Sequence, residues 1–327
     1  MIHVGIDVSK ATLDIFMNNK SFKCKNTQSG INRLIQRLPE DVFVIFESTG
    51  PYGKLLYKSL CEADKLCCCA NPLNVRRFAQ GSLNRFFKND PSDAEVLAEY
   101  GRQVNPQPTQ FANDTQIELE ELMFIRDALT KQERAMKNRT EIPFVSKDAE
   151  KALQRTITDI QKRIKNIHAQ IDQFMNKHEI YKQKKELLET IVGVGPVTSV
   201  ALLAYCPELG MLTNKEVASL AGLAPRTKQS GKMRSKERIG GGRKKLRNSL
   251  YMSAISSKKF DSVMRRFYQS LIERGKPSKV ALTAVMRKLI IYANSVLRSG
   301  FAFAIRDTQT HAKQKLDRAH SVSQPSA

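Results

Sequence analysis

The chain has 327 residues, 41% of them apolar, and 54 lysines and arginines against 32 aspartates and glutamates give it a formal charge of +22. This length predicts two domains with real cores, and the charge indicates a polyanionic partner, with nucleic acid as the first candidate. The longest mostly apolar stretch, near 197–206, is too short to cross a bilayer, and without a secretory signal the six cysteines are expected to stay reduced. A cytoplasmic protein with no membrane partner is therefore expected.

Alternating strands and helices are predicted over the first hundred residues. A run of three cysteines near residue 68 fits a buried strand better than a zinc site, because zinc ligands must be spaced to converge on one point. The predicted order β-β-β-α-β-α-β is that of an α/β ribonuclease-H-like domain, assigned to residues 1–105. The expected strands lie at 4–8, 13–17, 21–25, 42–46 and 66–70, and the expected helices lie after Gly30 and over 53–62.

Two long helices are predicted in residues 106–185, one over 114–142 and one after Pro143. The second has apolar side chains spaced alternately by four and three residues, which is a heptad seam. An intramolecular helical hairpin and an intermolecular coiled coil both satisfy this pattern, and we expect the segment to form a homodimer or homotetramer. The seam consists of Leu153, Ile157, Ile160, Ile164, Ile167, Ile171 and Phe174.

A mainly helical domain is predicted over 186–306, with a buried apolar helix at 280–297 and a disordered polar tail at 307–327. Residues 226–306 hold 21 basic and 3 acidic side chains, a net +18 of the total +22. If these residues were only solvated surface, compensating acids would accompany them, as they do in the middle of the chain. The concentration favours a face that binds polyphosphate.

Four carboxylates in the first domain form a candidate metal site. Asp7 and Glu47 end apolar strands, while Asp90 and Asp93 lie three residues apart at the start of a helix that has Pro91 at its first turn. Taken singly, Asp90 could be a helix cap and Asp7 a turn residue. Together, four such oxygen ligands can hold two Mg²⁺ ions, which can clamp the attacking and leaving oxygens of a phosphodiester.

Six motifs, spread in order over nearly the whole chain, resemble one family. They lie at 5–10 (GIDVSK), 46–52 (FESTGPY), 88–94 (KNDPSDA), 192–198 (VGVGPVT), 221–226 (AGLAPR) and 246–252 (LRNSLYM). The chain resembles the DEDD-type insertion-sequence transposases and recombinases, bacterial proteins that include Piv-like DNA invertases and bridge-RNA-guided recombinases. The resemblance implies a RuvC-like first domain, with Asp7, Glu47, Asp90 and Asp93 at its metal-site positions.

Gly193 and Gly195 lie in a turn between two predicted helices. Glycines there let backbone N–H groups approach a phosphate, and the following helix N-terminus favours an anion. The turn is interpreted as a helix-hairpin-helix that holds the DNA backbone without reading sequence. An ordinary Gly-Pro connector is the alternative.

Ser230 is the candidate nucleophile of the second domain. From the residues alone it could be part of a flexible polar turn, because a serine hydroxyl is a weak nucleophile unless it is activated. The resemblance favours catalysis, since the matching serine of the bridge recombinases forms a covalent phosphoserine with cut DNA, although the loop at 239–243 is richer in glycine than is usual there. The basic side chains expected to contact nucleic acid are Arg226, Lys228, Lys232, Arg234, Arg243, Lys244, Lys245 and Arg247.

The resulting hypothesis is a DNA recombinase or transposase that uses both the carboxylate site and Ser230 to cleave and exchange strands of double-stranded DNA, in a composite site drawn from both domains. The alternatives are a Holliday-junction resolvase that uses the carboxylates alone and a non-catalytic basic nucleic-acid-binding protein. The sequence does not separate transposition from inversion, and the resemblance allows a guide RNA without requiring one.

Overall fold

The computed structural model describes residues 1–47, 50–83, 90–109, 114–226, 229–230, 233–234 and 238–303. The chain divides into two compact units, Met1–Phe111 and Ala112–Ala327. The finer division into four segments predicted from the sequence stays a prediction. Lys228, Lys232 and the tail at 307–327 lie outside the described residues.

A mixed five-stranded sheet forms the centre of the first unit. Its strands are β1 (Ile2–Val8), β2 (Thr12–Met17), β3 (Lys20–Lys25), β4 (Val42–Glu47) and β5 (Leu66–Ala70). They lie in the order β3-β2-β1-β4-β5. β1, β2 and β3 pair antiparallel, whereas β4 is parallel to both β1 and β5. The predicted order of strands and helices through β5 is confirmed.

Helices cover both faces of this sheet. They are α1 (Gln28–Arg37), α2 (Lys54–Glu62, after a 3₁₀ turn at Gly50–Gly53), α3 (Pro72–Ser82) and α4 (Asp90–Val104). α3 was not predicted, although its start has a clear signal: the Asn71 side chain accepts a hydrogen bond from the Leu73 N–H, and Pro72 occupies the first helical position.

Because side chains alternate between the two faces along each strand, the sheet has one hydrophobic core on each face. Val4, Ile6 and Phe46 pack on one face with residues of α1 and α2, whereas Phe43 and Ile45 pack on the other face with residues of α3 and α4. The three consecutive cysteines lie in β5, with Cys67 in the first core and Cys68 in the second. The interpretation of this triplet as part of a buried strand is confirmed.

The second unit begins with two long helices, α5 (Asp114–Arg139) and α6 (Lys147–Lys177), which pack against each other. Five seam residues of α6 are buried within the chain: Ile157, Ile160, Ile167, Ile171 and Phe174. The Gln161 side chain also donates a hydrogen bond of 2.9 Å to Glu133. Of the two arrangements that the heptads allow, the chain forms the intramolecular hairpin, and the expected oligomer stays a prediction.

The remaining helices enclose the core of the second unit. They are α7 (Glu179–Glu189), α8 (Pro196–Tyr205), α9 (Asn214–Leu220), α10 (Lys244–Phe260), α11 (Ser262–Glu273) and α12 (Ser278–Ser299). Four two-residue strands, which were not predicted, lie between α9 and α10. They are β6 (Pro225–Arg226), β7 (Gln229–Ser230), β8 (Met233–Arg234) and β9 (Arg238–Ile239), with β6 paired to β9 and β7 to β8.

The longest apolar helix of the described chain is α12, so the expectation that the longest apolar stretch lies near 197–206 was wrong. By length and composition alone α12 could cross a membrane. Half of its apolar window is buried inside the second unit, however, where side chains such as Leu289 and Ile290 join the core. This is the predicted buried helix at 280–297, and it does not indicate a membrane protein.

Candidate catalytic site and nucleic-acid interface

Asp7 and Glu47 lie at the same end of two neighbouring parallel strands. The register of β1 and β4 pairs Ile2 with Val42 and continues to Ile6 with Phe46, so the next positions, Asp7 and Glu47, are level with each other. Because side chains alternate between faces along a strand, Asp7 shares a face with Gly5. Both acids are partly buried, and each lies two positions after a strand residue, Gly5 or Ile45, that packs against α4.

Helix α4 crosses that face at very short range. A Cβ atom at Gly5 would overlap the carbonyl oxygen of Ala94 and the backbone nitrogen of Ala98, and a Cβ atom at Gly101 would overlap the Ile45 side chain and come within 3.2 Å of His3. Later residues of α4 therefore lie against earlier residues of β1, so the helix runs antiparallel to the strand. Its first turn is consequently at the end of β1 that carries Asp7.

The start of α4 thus brings a third predicted acid to this edge of the sheet. Asp93 directly precedes Ala94, which touches β1 beside Gly5, and the helix begins at Asp90, whose side chain is outside the described residues. Carboxylate oxygens are the donors that Mg²⁺ prefers, so the chemistry of these side chains suits that ion. Among the side chains that the structure describes, no group of three or more His, Cys, Asp or Glu is arranged to hold a metal.

Asp14 is a further carboxylate at this site that the sequence analysis missed. It is the direct cross-strand partner of Asp7, its residue is only 6% exposed, and it forms an ion pair of 2.7 Å with Lys23 on β3. Asp14, Lys23 and Ala94 of α4 help to line a cavity of about 90 Å³. The sequence does carry a signal for Asp14, because it is an acidic residue within the otherwise apolar run of β2.

In the second unit, the two glycines of the predicted helix-hairpin-helix have different surroundings. Gly193 has a φ of +96°, and a Cβ atom there would lie 2.7 Å from the carbonyl oxygen of Ser253 and the nitrogen of Ser257 on α10. Gly193 is therefore required for helix packing. Gly195, by contrast, is exposed at the N-cap of α8 and has open space around it.

Arg243, one of the basic residues expected to contact nucleic acid, is partly buried and hydrogen-bonded within the second unit. Its guanidinium donates hydrogen bonds of 2.7 and 2.6 Å to the two carboxylate oxygens of Glu208, and another of 3.1 Å to the carbonyl of Tyr205. Burial alone would raise the pKa of Glu208, but the hydrogen bonds and charge of Arg243 outweigh it and lower that pKa. Arg243 therefore fastens the start of α10 to the loop after α8.

The other predicted basic residues of α10 are placed differently. Lys244 and Lys245 are exposed at the start of the helix, where the Lys245 ammonium lies 4.7 Å from the ring centre of Phe124. Arg247 is partly buried and donates a hydrogen bond of 2.8 Å to the carbonyl of Gly241. Ser230 is in β7, level with Met233 of β8, while Arg226 and Arg234 are in β6 and β8 and their side chains are outside the described residues.

Comparison with known proteins identifies the family. Residues 4–141 match the model of the DEDD transposases of the IS110 type, and residues 185–269 match that of the transposase IS116/IS110/IS902 family. The chain is 30% identical over 317 residues to the pilin gene-inverting protein of Moraxella bovis, covering 92% of this chain and 97% of the relative. The chain belongs to the DEDD-type IS110 transposase and Piv-like recombinase family.

Two other relatives agree with this assignment. The pilin gene-inverting protein of Moraxella lacunata has the same identity and coverage. An insertion element IS110 uncharacterized 43.6 kDa protein of Streptomyces coelicolor is 28% identical over 157 residues, 47% of this chain and 38% of that protein. This IS110-family member is thus an enzyme of DNA recombination, of the transposase and invertase class. DEDD transposases usually use divalent metal ions.

Proposed function

We propose that this family member cleaves and exchanges DNA strands with an acidic site of Asp7, Glu47, Asp90 and Asp93 and with Ser230 as nucleophile. The observation that carries the proposal is the meeting of Asp7, Glu47 and the first turn of α4 at one edge of the sheet. The reaction serves transposition of an insertion sequence or site-specific inversion. The RuvC-like assignment of the first domain belongs to the same proposal.

The role of the acids is to hold Mg²⁺ against a DNA strand that is itself an anion. Two such ions, when bound, supply charge stabilisation for the attacking and leaving oxygens of the phosphodiester. The acids are mounted on two strands and one helix, elements whose backbones are fixed by the sheet and by the contact at Gly5. Rigid mounting suits catalysis, because small displacements of reacting groups are costly.

The role of Ser230 is covalent catalysis. Its Oγ forms a bond to phosphorus while one P–O bond of the strand breaks, the serine proton passes to solvent, and the departing oxygen leaves as a strand-end hydroxyl after taking up a proton. Reversal of this step on a second strand completes the exchange. Positive charge from Arg226, Lys228, Lys232 and Arg234, which flank it in the sequence, would stabilise the charge that develops on the phosphate.

A separate set of groups is proposed to grip duplex DNA. The exposed N-terminus of α8 at Gly195 and the basic residues Lys244, Lys245 and Arg247 support this role. Gly193 contributes through packing, and Arg243 is omitted because Glu208 engages it. Assembly as a dimer or tetramer and the use of a guide RNA remain parts of the proposal that rest on the family resemblance.

The serine role is tested with Ser230→Ala and the acidic site with Asp7→Asn. Both variants are expected to bind duplex DNA as the wild type does and to lose strand transfer, measured on a supercoiled plasmid that carries the element ends. Wild-type protein should leave protein-linked DNA on a denaturing gel, and Ser230→Ala should leave none. Normal recombination by Ser230→Ala would disprove the serine role.

The same gels distinguish the two alternatives. If Mg²⁺-dependent cutting persists in Ser230→Ala and no protein-linked DNA forms with the wild type, the enzyme hydrolyses DNA with its acids alone, as a resolvase does. If Asp7→Asn and Asp93→Asn both recombine normally, these carboxylates are structural and the acidic site is excluded. Removal of Mg²⁺ by EDTA should stop cleavage in the wild type.

A further inference from the structure

Helix α10 presents an exposed face of which the proposed function uses only Lys244, at its first turn. One side of the helix is buried in the core through Leu246, Leu250, Ser253, Ala254 and Ser257. The opposite side carries Lys244, Asn248, Tyr251 and Met252, all exposed; we call these four residues the α10 outer face. Tyr251 is 46% exposed and Met252 is 65% exposed. They belong to the 246–252 motif that carried part of the family resemblance.

The surroundings of Tyr251 are strongly cationic. α10 contains five basic residues and no acidic residue over its 17 positions. Lys244 lies seven residues before Tyr251 and Lys259 eight residues after it, and both are exposed. At 3.6 residues per turn these positions share a side of the helix with Tyr251, roughly 10 to 12 Å from it along the axis. An accessible aromatic ring is thus flanked by two ammonium groups.

This arrangement matches the general chemistry of single-strand binding. Proteins that hold unpaired strands combine positive charge along the phosphates with an aromatic ring on which a base stacks. Intact duplex offers no free base faces, because each base is covered by its neighbours. A protein partner for this face would have to be acidic, whereas DNA is the polyanion on which the family acts.

We propose that the α10 outer face binds an unpaired DNA strand, with Tyr251 stacking on a base, Met252 packing beside it, and Lys244 and Lys259 contacting the flanking phosphates. The occupant is the strand that opens during exchange, so this inference rests on the proposed function. It adds a surface for the separated strand to the groups already proposed for duplex DNA. Tyr251 takes no part in the chemical step.

The first test measures affinity for a labelled single-stranded oligonucleotide and for the corresponding duplex. Tyr251→Ala should weaken single-strand binding by about tenfold, the order expected for one stacked base, and should change duplex binding by less than about twofold. Tyr251→Phe keeps the ring and should retain most of the single-strand affinity. The matched control is Met211→Ala, because Met211 is exposed in the same unit but lies outside α10.

The second test uses the fact that the chain contains no tryptophan. Tyr251→Trp therefore introduces a single tryptophan at the proposed stacking position, and its fluorescence should be quenched by single-stranded DNA and much less by duplex. Met211→Trp, a control at another exposed position, should show little quenching with either. This readout does not depend on strand transfer.

The outcomes separate this inference from the function on which it rests. If the wild type binds no duplex and recombines no DNA, the proposed function fails. Two outcomes would contradict only the inference about the α10 outer face, provided that the wild type binds duplex. In the first, single-stranded DNA does not quench the fluorescence of the Tyr251→Trp variant. In the second, Tyr251→Ala weakens the binding of single-stranded and duplex DNA equally. Stronger quenching by RNA of the same sequence than by DNA would overturn the assignment of a DNA strand.

Discussion

The pair formed by Glu208 and Arg243 shows how one side chain can fix the position of a helix. Arg243 is the residue just before α10, and both of its terminal nitrogens reach the Glu208 carboxylate. A bidentate pair of this kind is specific in geometry as well as charge. The start of α10, and with it the outer face around Tyr251, is held in place by this contact.

The Glu208–Arg243 pair gives the stability of the second unit a defined pH dependence. The folded-state pKa of Glu208 is lowered, so the contribution is fully present above the unfolded value of about 4.3 and is lost as pH falls through the folded value. Glu208→Gln should lower the free energy of unfolding at pH 7 by about 1 kcal/mol, a modest figure because the pair is partly exposed. In urea melts, the difference from wild type should begin to shrink below about pH 4.3 and should disappear as the pH falls through the lowered folded-state pKa of Glu208. A difference that is constant from pH 7 to pH 3 would contradict this account.

At the scale of elements, the α5–α6 hairpin is the clearest case of a pattern that the sequence leaves open. Its seam residues are buried against the same chain, so their contribution should not depend on protein concentration. The heptad spacing does not say whether the seam of α6 packs against the same chain or against another protomer. That choice depends on the length of the connection between α5 and α6 and on the packing of α5.

Ile167→Ala tests this arrangement. Removal of a buried side chain should cost about 2 to 4 kcal/mol of stability, while Ile142→Ala, at an exposed position between the two helices, should cost less than about 0.5 kcal/mol. Thermal melts over a hundredfold range of protein concentration should show the same loss for Ile167→Ala throughout. A loss that grows on dilution would indicate that the seam pairs protomers instead.

Prediction from sequence succeeded where the signal is local. The strands β1, β2, β4 and β5 followed from apolar runs bounded by turns, and the same runs placed Asp7 and Glu47 at strand ends. Asp14 was missed because its significance depends on being the register partner of Asp7, which no local pattern shows. The role of Arg243 was also beyond reach, since its partner Glu208 is 35 residues away in the chain.

For the whole molecule, the uneven charge predicts how DNA binding responds to salt. Residues 226–306 carry a net +18, and contacts from such a surface to six or more phosphates would reduce duplex affinity by roughly a thousandfold between about 50 and 200 mM salt. Lys244→Gln should lower the slope of log affinity against log salt by about 1. Lys151→Gln, on the electrically balanced hairpin, should leave the slope unchanged. Equal slopes for all three proteins would remove Lys244 from the interface.

The contact between Gly5 and α4 bears on how freely this enzyme can diverge. Gly5 is two residues before Asp7, and Ala94 is one residue after Asp93, so the two acid-bearing backbones touch each other directly. The approach of these two backbones is thus set by main-chain atoms at Gly5, together with the contact between Gly101 and Ile45. A side chain at position 5 would push α4 away from β1 and separate the acids, so relatives that share this acidic geometry are expected to keep a glycine there.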